Sequence, residues 1–274
     1  MNPKVSLIIE AGKTEKQYWK DIFRYRELVY FMSWRDILVR YKQTVIGVAW
    51  ALIRPFMTMV VFTVIFGRLA KLPSDGIPYP ILVFAGMLPW QFFASALSEC
   101  SNSLITNPNL LTKVYFPRLI IPISAVGVAL VDFLISFAIF ACLVLWYGFV
   151  PPWSAVFLPF LVVLTFVCTT GFGLWLAALT VKYRDFRYIV PFIVQFGMYI
   201  SPVGFSSTIV PHNWYFVYSL NQMVGIIDAF RWSLLGNMEF PFTSLGVSII
   251  IISITVATGI IYFRHTERTF ADII

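Results

Sequence analysis

Residues 119 to 147 read LIIPISAVGVALVDFLISFAIFACLVLWY, an apolar run with a single charged residue, Asp132. A hydrocarbon core of ~30 Å takes about 20 helical residues to cross, because backbone amides there must be satisfied within their own segment. This run is long enough. Comparable stretches lie at about 45–66, 79–105, 155–181, 188–205 and 244–263, so the expected fold is an all-α integral membrane protein with six transmembrane helices. The composition agrees: 59% of residues are apolar, 18% aromatic and only 12% charged, where soluble domains carry about one-quarter charged residues.

Six crossings place both termini on one side, and Lys and Arg decide which, since short loops rich in them stay in the cytoplasm. Nine precede Val45; Lys113 and Arg118 lie between spans two and three; Lys182, Arg184 and Arg187 lie between spans four and five; Arg264 and Arg268 follow span six. Only Arg68, Lys71 and Arg231 fall on the other side, and Arg54 lies within span one. Both termini are therefore expected in the cytoplasm. The net charge of +7 reads as an orientation signal, not as a nucleic-acid footprint. The expected organisation is a cytoplasmic leader with a surface helix over 1–43 and one transmembrane domain over 44–274. The leader has no apolar core of a secretory signal. Cys100, Cys142 and Cys168 fall inside spans, without the spacing of a metal site or a disulfide framework. No metal or cofactor is expected on this chain.

One motif points elsewhere. Residues 5 to 15, VSLIIEAGKTE, place Gly12-Lys13-Thr14 after an apolar stretch and before a helix-capable one, the setting of a phosphate-binding loop. That loop needs a second Gly five positions before Gly12, and Leu7 stands there. ATP binding by this chain is not expected.

Residues 19 to 44, WKDIFRYRELVYFMSWRDILVRYKQT, read as a surface helix. Ile22, Tyr25, Val29 and Met32 recur at helical spacing, as do Trp34, Ile37, Leu38 and Tyr41. The two stripes are out of phase, which predicts a break near Ser33. Basic residues opposite aromatic ones describe an amphipathic helix in the inner interface, either an anchor or a lever for a cytoplasmic partner. The connections NPNLLTKVYFPRL (107–119) and KYRDFRY (182–188) mix apolar and basic residues, as ordinary positive loops or as docking surfaces do. Residues 206 to 242 are too interrupted for a span and too apolar for a free loop; they read as re-entrant helices on the outer face.

Arg54, Glu99 and Asp132 are ionisable groups inside spans, where charge is costly and often functional. At ~1.5 Å per residue, Arg54 and Glu99 lie about 9–14 Å from the cytoplasmic edge, so they could pair or line a path. Asp132, about 20 Å along span three, has no obvious partner by depth. Tyr and Trp near span ends form an interfacial belt by default; within a conduit their ring faces suit the C–H faces of sugars.

Three phrases carry a family resemblance: RDILVRYKQTVIGVAWALIRP (35–55), NPNLLTKVYFPRLIIP (107–122) and VKYRDFRYIVPFIVQFGMYISPVGFS (181–206). In this order and at these intervals they resemble the permease subunits of ABC exporters of polysaccharides and polyol phosphates, most closely the O-antigen type. The likeness runs from about Tyr25 to the C-terminus. It implies a homodimer in a bacterial inner membrane, two copies of a separate ATPase chain holding ATP and Mg²⁺, and a lipid-linked polysaccharide moved outward on polyprenyl diphosphate. Teichoic acid or capsular polysaccharide is the alternative cargo. By position, the resemblance assigns ATPase coupling to Trp34, Arg35, Asp36, Arg40, Tyr41 and Lys42, and to Asn107, Leu110, Leu111, Lys113, Tyr115, Phe116 and Arg118. Arg184 and Asp185 form a second contact. Trp214, Tyr215, Tyr218 and Trp232 would form the exit, with Arg54, Trp90 and Glu99 along the path. Gln222 stands where the family often has Pro, a departure that bears on local helix geometry.

Two other classes fit less well. A polyprenyl-lipid transferase needs clustered Asp, Glu or His to hold a metal and diphosphate, and the acidic residues here are scattered. A proton-coupled transporter of inverted repeats needs internal similarity between halves, and none is visible.

Overall fold

The computed structural model describes residues 15–42, 47–74, 76–113, 116–236 and 239–270, and among these there are helices and no strand. The Gly-Lys-Thr triplet and Tyr115 lie outside the described residues. The helices are α1 (Glu15–Arg24), α2 (Arg26–Lys42), α3 (Gly47–Phe62), α4 (Tyr79–Thr106), α5 (Pro108–Lys113), α6 (Ile120–Trp146), α7 (Leu158–Lys182), α8 (Phe186–Ile200), α9 (His212–Ser219), α10 (Gln222–Leu235) and α11 (Phe242–Thr266). A π-helical stretch, Thr63–Leu69, extends α3, and 3₁₀ turns lead into α7 and out of α11.

Among the described residues, five segments are long and apolar enough to cross a membrane: Ala49–Leu69, Tyr79–Thr106, Ile120–Trp146, Trp153–Lys182 and Phe242–Thr269. They match five of the six expected spans. The fifth expected span is the shorter α8, whose 15 residues reach about 22 Å at 1.5 Å per residue. The bundle is built around α4, which packs against α6, α7 and α10. In α4, 78% of the most apolar window is buried, against 17% in α3.

Small residues set the closest approach. A Cβ on Gly259 of α11 would lie 2.5 Å from the Gly171 carbonyl of α7, and one on Gly171 would lie 2.9 Å from Val256 Cα. Between helices in a bilayer, where lipid is as apolar as Leu, such close packing supplies much of the association. Gly259→Leu is expected to force α7 and α11 apart and to cost about 2–3 kcal/mol, read as a lowered thermal midpoint in detergent. Gly246→Ala, with open space around its position, is the matched control and should leave the midpoint in place.

The segment before α11 doubles back. Asn221 caps α10, its Oδ1 accepting from the Met223 amide at 3.1 Å. Gln222 Oε1 accepts from Thr255 Oγ1 at 3.3 Å, halfway along α11. Thus the Gln that replaces the family Pro leaves the cap intact and ties the helix start to its neighbour. The other end of α10 returns to the start of α7, where Ser154 and Ser233 exchange hydroxyl–carbonyl hydrogen bonds.

The N-terminal helices depart from the sequence expectation. The chain turns at Tyr25, between α1 and α2, and α2 runs unbroken through Ser33. Its inward stripe is Val29, Met32, Ser33, Ile37, Arg40 and Tyr41, while Trp34 and Leu38 are exposed. The stripe changes character at Ser33 rather than changing phase. Met32 joins an apolar cluster with Phe116, Leu119, Phe263 and Phe270, whereas Arg40 and Tyr41 enter on polar contacts.

Candidate coupling and transport site

Two regions singled out from sequence meet at the basic end of the bundle. Arg35 of α2 donates to Asn107 Oδ1 at 3.0 Å and to its neighbour Asp36 at 2.8 Å. Asn107 in turn donates through Nδ2 to the Ser103 carbonyl at 2.9 Å, closing the end of α4. So α2 is fastened to the α4–α5 junction. The short α5 is seated by Leu111, which is buried, and by half-buried Leu110, with buried Phe116 just beyond; Thr106, Pro108 and Asn109 remain exposed. Leu111 and Phe116 are thus anchors, not outward contacts as the family positions implied. The Lys113 side chain lies outside the described residues. Arg118 is turned inward to the Glu267 carbonyl at the end of α11, a partner contact that sequence position did not suggest. Arg184 and Asp185 are exposed between α7 and α8, and the Asp185 carbonyl accepts from Tyr188 at 2.9 Å to start α8.

Farther into the bundle α2 lies alongside α6, pointing the same way. Ser33 Oγ donates to the Ser124 carbonyl at 2.9 Å; seven residues on, Arg40 donates to Asp132 at 2.6 Å and also to Glu99. Tyr41 donates to the other Asp132 oxygen, and Ser95 adds a bond at 3.2 Å. The expected Arg54–Glu99 pair is not formed: Arg54 is on the exposed side of α3, and Arg40 takes its place. Depth along the chain paired groups on spans, but α2 delivers a cation from outside the spans to the same depth. The same helix supplies the partner Asp132 lacked. Burial and the bond to Asp132 hold the Tyr41 phenol well above its ordinary pKa, so it remains a donor.

At the opposite end the aromatic exit residues divide. Trp214 is exposed. Trp232 is packed edge-on to Trp153 and Phe240 and tilted against Phe157. Tyr215 turns inward, its hydroxyl 3.4 Å from Asp228, and the Tyr218 hydroxyl is also buried. Trp90, expected on the path, is 4% exposed and packed against Phe93 and Gly197, so its ring faces are unavailable to cargo in this arrangement. Sequence reading missed the charged pair of α10. Asp228 is 4% exposed and Arg231 is fully buried; Arg231 donates to the Val203 and Phe205 carbonyls at 3.0 and 2.6 Å. The signal was present as an acid and a base three apart, one helical turn, inside the apolar run MVGIIDAFRWSLL. Among the described residues no group of His, Cys, Asp and Glu is placed to hold a metal ion.

The model of the family described as ABC-2 type transporter matches residues 27–235, from the start of α2 to the end of α10. The chain belongs to that family. ABC-2 relatives at this length include the O-antigen export system permease protein RfbA of Myxococcus xanthus, 28% identical over 215 residues, 77% of this chain and 82% of that one. The protein of the same description from Klebsiella pneumoniae is 24% identical over 249 residues, 90% of this chain and 95% of that one. The polysialic acid transport protein KpsM of Escherichia coli is 21% identical over 239 residues, 85% of this chain and 91% of that one. The matched range holds α2, α5, the Arg40 network and α10 together, so these features sit in the part shared with ABC-2 permeases.

Proposed function

We propose that this chain is the membrane subunit of an ATP-driven exporter of O-antigen-type polysaccharide, with ATP and Mg²⁺ held by a separate ATPase. The carrying observation is the Arg35–Asn107 bond, which joins α2 and α5 into one surface at the basic end. The relatives' descriptions supply the cargo class; the polysialic acid transport protein favours capsular polysaccharide as the second reading.

Both termini lie in the cytoplasm in this reading, and the chain crosses six times, α8 completing the fifth crossing together with residues 201–211. The course of α10, from mid-α11 back to the start of α7, supports a re-entrant α9–α10 pair on the outer face. Two copies of the chain face each other through α3 and α8, whose apolar sides are the most exposed, and two ATPase copies dock below. ATP binding closes the ATPases, α5 and α2 carry the motion inward, and the copies part. Cargo on a polyprenyl diphosphate then slides past weak, exchangeable aromatic and polar contacts, since tight binding at any one point would stall it.

The test is negative charge introduced into this segment, Asn109→Asp with Lys113→Glu. Export should fall at least tenfold while the complex assembles and hydrolyses ATP; normal export with normal assembly would overturn the coupling assignment. Lipid-linked glycan accumulating inside deletion cells would distinguish O-antigen from capsular cargo by its composition.

A further inference from the structure

The most enclosed span, α4, keeps one polar face. From Ile81 to the end of the helix, the residues left partly or fully exposed are Gln91, Ser95, Ser98, Glu99, Asn102 and Thr106, joined by Ala94 and Ile105. They recur three or four residues apart and so form a single stripe, about 22 Å long at 1.5 Å per residue. The neighbouring spans instead expose apolar side chains, Leu134 and Leu145 on α6 and Phe160, Val163 and Val167 on α7. Faces of that kind suit lipid. The α4 stripe does not, because amide and carboxylate side chains are costly in hydrocarbon, so it faces water or protein.

Its borders point to water. On one side Arg40 of α2 bonds Glu99, and Ser95 donates to Asp132 of α6. On the other, Trp90, one turn before Ala94, packs against Gly197 of α8. Both α3 and α8 pack on α4 and carry large exposed side chains, among them Trp50, Phe56, Phe192 and Phe196. The stripe itself ends in short side chains at Ala94, Ser95 and Ser98. A second copy meeting α3 and α8 touches the larger side chains first and leaves the stripe as the floor of a groove.

The polar side chains are also held without any partner. Ser98 Oγ donates to the Ala94 carbonyl at 2.9 Å, Asn102 Nδ2 to the Ser98 carbonyl at 2.9 Å, and Thr106 Oγ1 to the Asn102 carbonyl at 3.2 Å. Each commits a proton to its own helix and keeps an oxygen able to accept. We propose that this stripe is the track along which the glycan moves, sugar hydroxyls donating in turn to Thr106, Asn102 and Ser98 on the way to Gln91. Neutral acceptors one turn apart give hydrogen bonds that are individually weak and readily exchanged. The inference rests on the proposed export function and names the surface that its cargo touches.

The test uses the complete exporter, with its ATPase, in lipid nanodiscs. Ser98→Cys and Asn102→Cys, each combined with Cys142→Ser, are treated with a charged thiol reagent that does not enter lipid. Both should react, whereas Leu134→Cys in the same background should not. Lipid-linked glycan recovered from deletion cells should slow both reactions about tenfold at roughly ten times its half-saturating concentration. Reaction without protection, or no reaction, would overturn the track. Disulfide cross-linking of the two copies through either cysteine would make the stripe a subunit interface and overturn it equally. In cells, Asn102→Leu should lower export about tenfold, the worth of one hydrogen bond, with assembly and ATP hydrolysis kept, while Asn102→Ser should retain most of it. If the wild-type complex exports no glycan, the proposed function fails; if it does and the cysteines stay unprotected, the track alone fails.

Discussion

Arg40→Met is expected to loosen α2 from the bundle and to abolish most export while leaving ATP hydrolysis in the complex. The Arg40 guanidinium bridges Glu99 of α4 and Asp132 of α6. Without it two carboxylates face each other across the helix contact, with Tyr41 and Ser95 donating to one of them. Breaking a fully buried pair costs 3–5 kcal/mol, because a charge is left uncompensated. Here the Arg40 and Asp132 side chains keep 29% and 27% exposure, so solvent screening lowers the expected loss to about 2 kcal/mol. Thermal unfolding in detergent reads that term. Arg40→Lys should recover part of it, since an ammonium reaches one carboxylate but lacks the planar fork that serves two. Adding Asp132→Asn to Arg40→Met should restore more of the midpoint, because the repulsion goes, yet should not restore export if α2 must be held in place to transmit motion. A wild-type midpoint and wild-type export in Arg40→Met would refute the clasp.

The same network shows what was legible in the sequence and what was not. Five of the six expected spans could be placed within a few residues, because length and hydropathy follow directly from the absence of water in the bilayer. Partners could not. Arg54 and Glu99 were matched by depth along two spans, a one-dimensional argument, but the observed cation arrives on a helix outside the spans. Apolar spacing alone gives a second stripe of Trp34, Ile37, Leu38 and Tyr41 out of phase with the first, and so implies a break near Ser33. Counting Arg40 as an inward residue joins Val29, Met32, Ser33 and Ile37 into one continuous face. Aromatics were the least legible set, since composition does not say which way a ring turns: Trp214 is exposed, Trp90 is core, Tyr215 reaches the buried Asp228, and the Tyr218 hydroxyl is buried. The Arg35–Asn107 bond was invisible for a different reason, because 72 residues separate the partners and no local pattern links them.

Arg231→Met is expected to be the most destabilising single substitution in the chain. The guanidinium is completely buried, and its two bonds to the Val203 and Phe205 carbonyls fix residues 201–205, which follow α8 without regular helical hydrogen bonding. Removing it strands those carbonyls and leaves Asp228 buried without the positive charge beside it, which together cost about 3–5 kcal/mol. The fit is tight on the far side as well: a Cβ on Gly86 would lie 2.8 Å from the guanidinium and 3.0 Å from the Val203 carbonyl. Gly86→Ala should therefore act in the same direction with a smaller drop, since a side-chain tip can yield where backbone cannot. Asp228→Asn combined with Arg231→Met should recover the electrostatic share and leave the carbonyl share, separating the two terms. Trp214→Ala, which removes a 65% exposed side chain, is the control and should not shift the midpoint. If Arg231→Met unfolds no earlier than the control, the buried pair does not hold the α8–α10 connection. If it does unfold earlier, α10 is fastened by the buried guanidinium to the segment that follows α8, and the two move as one body.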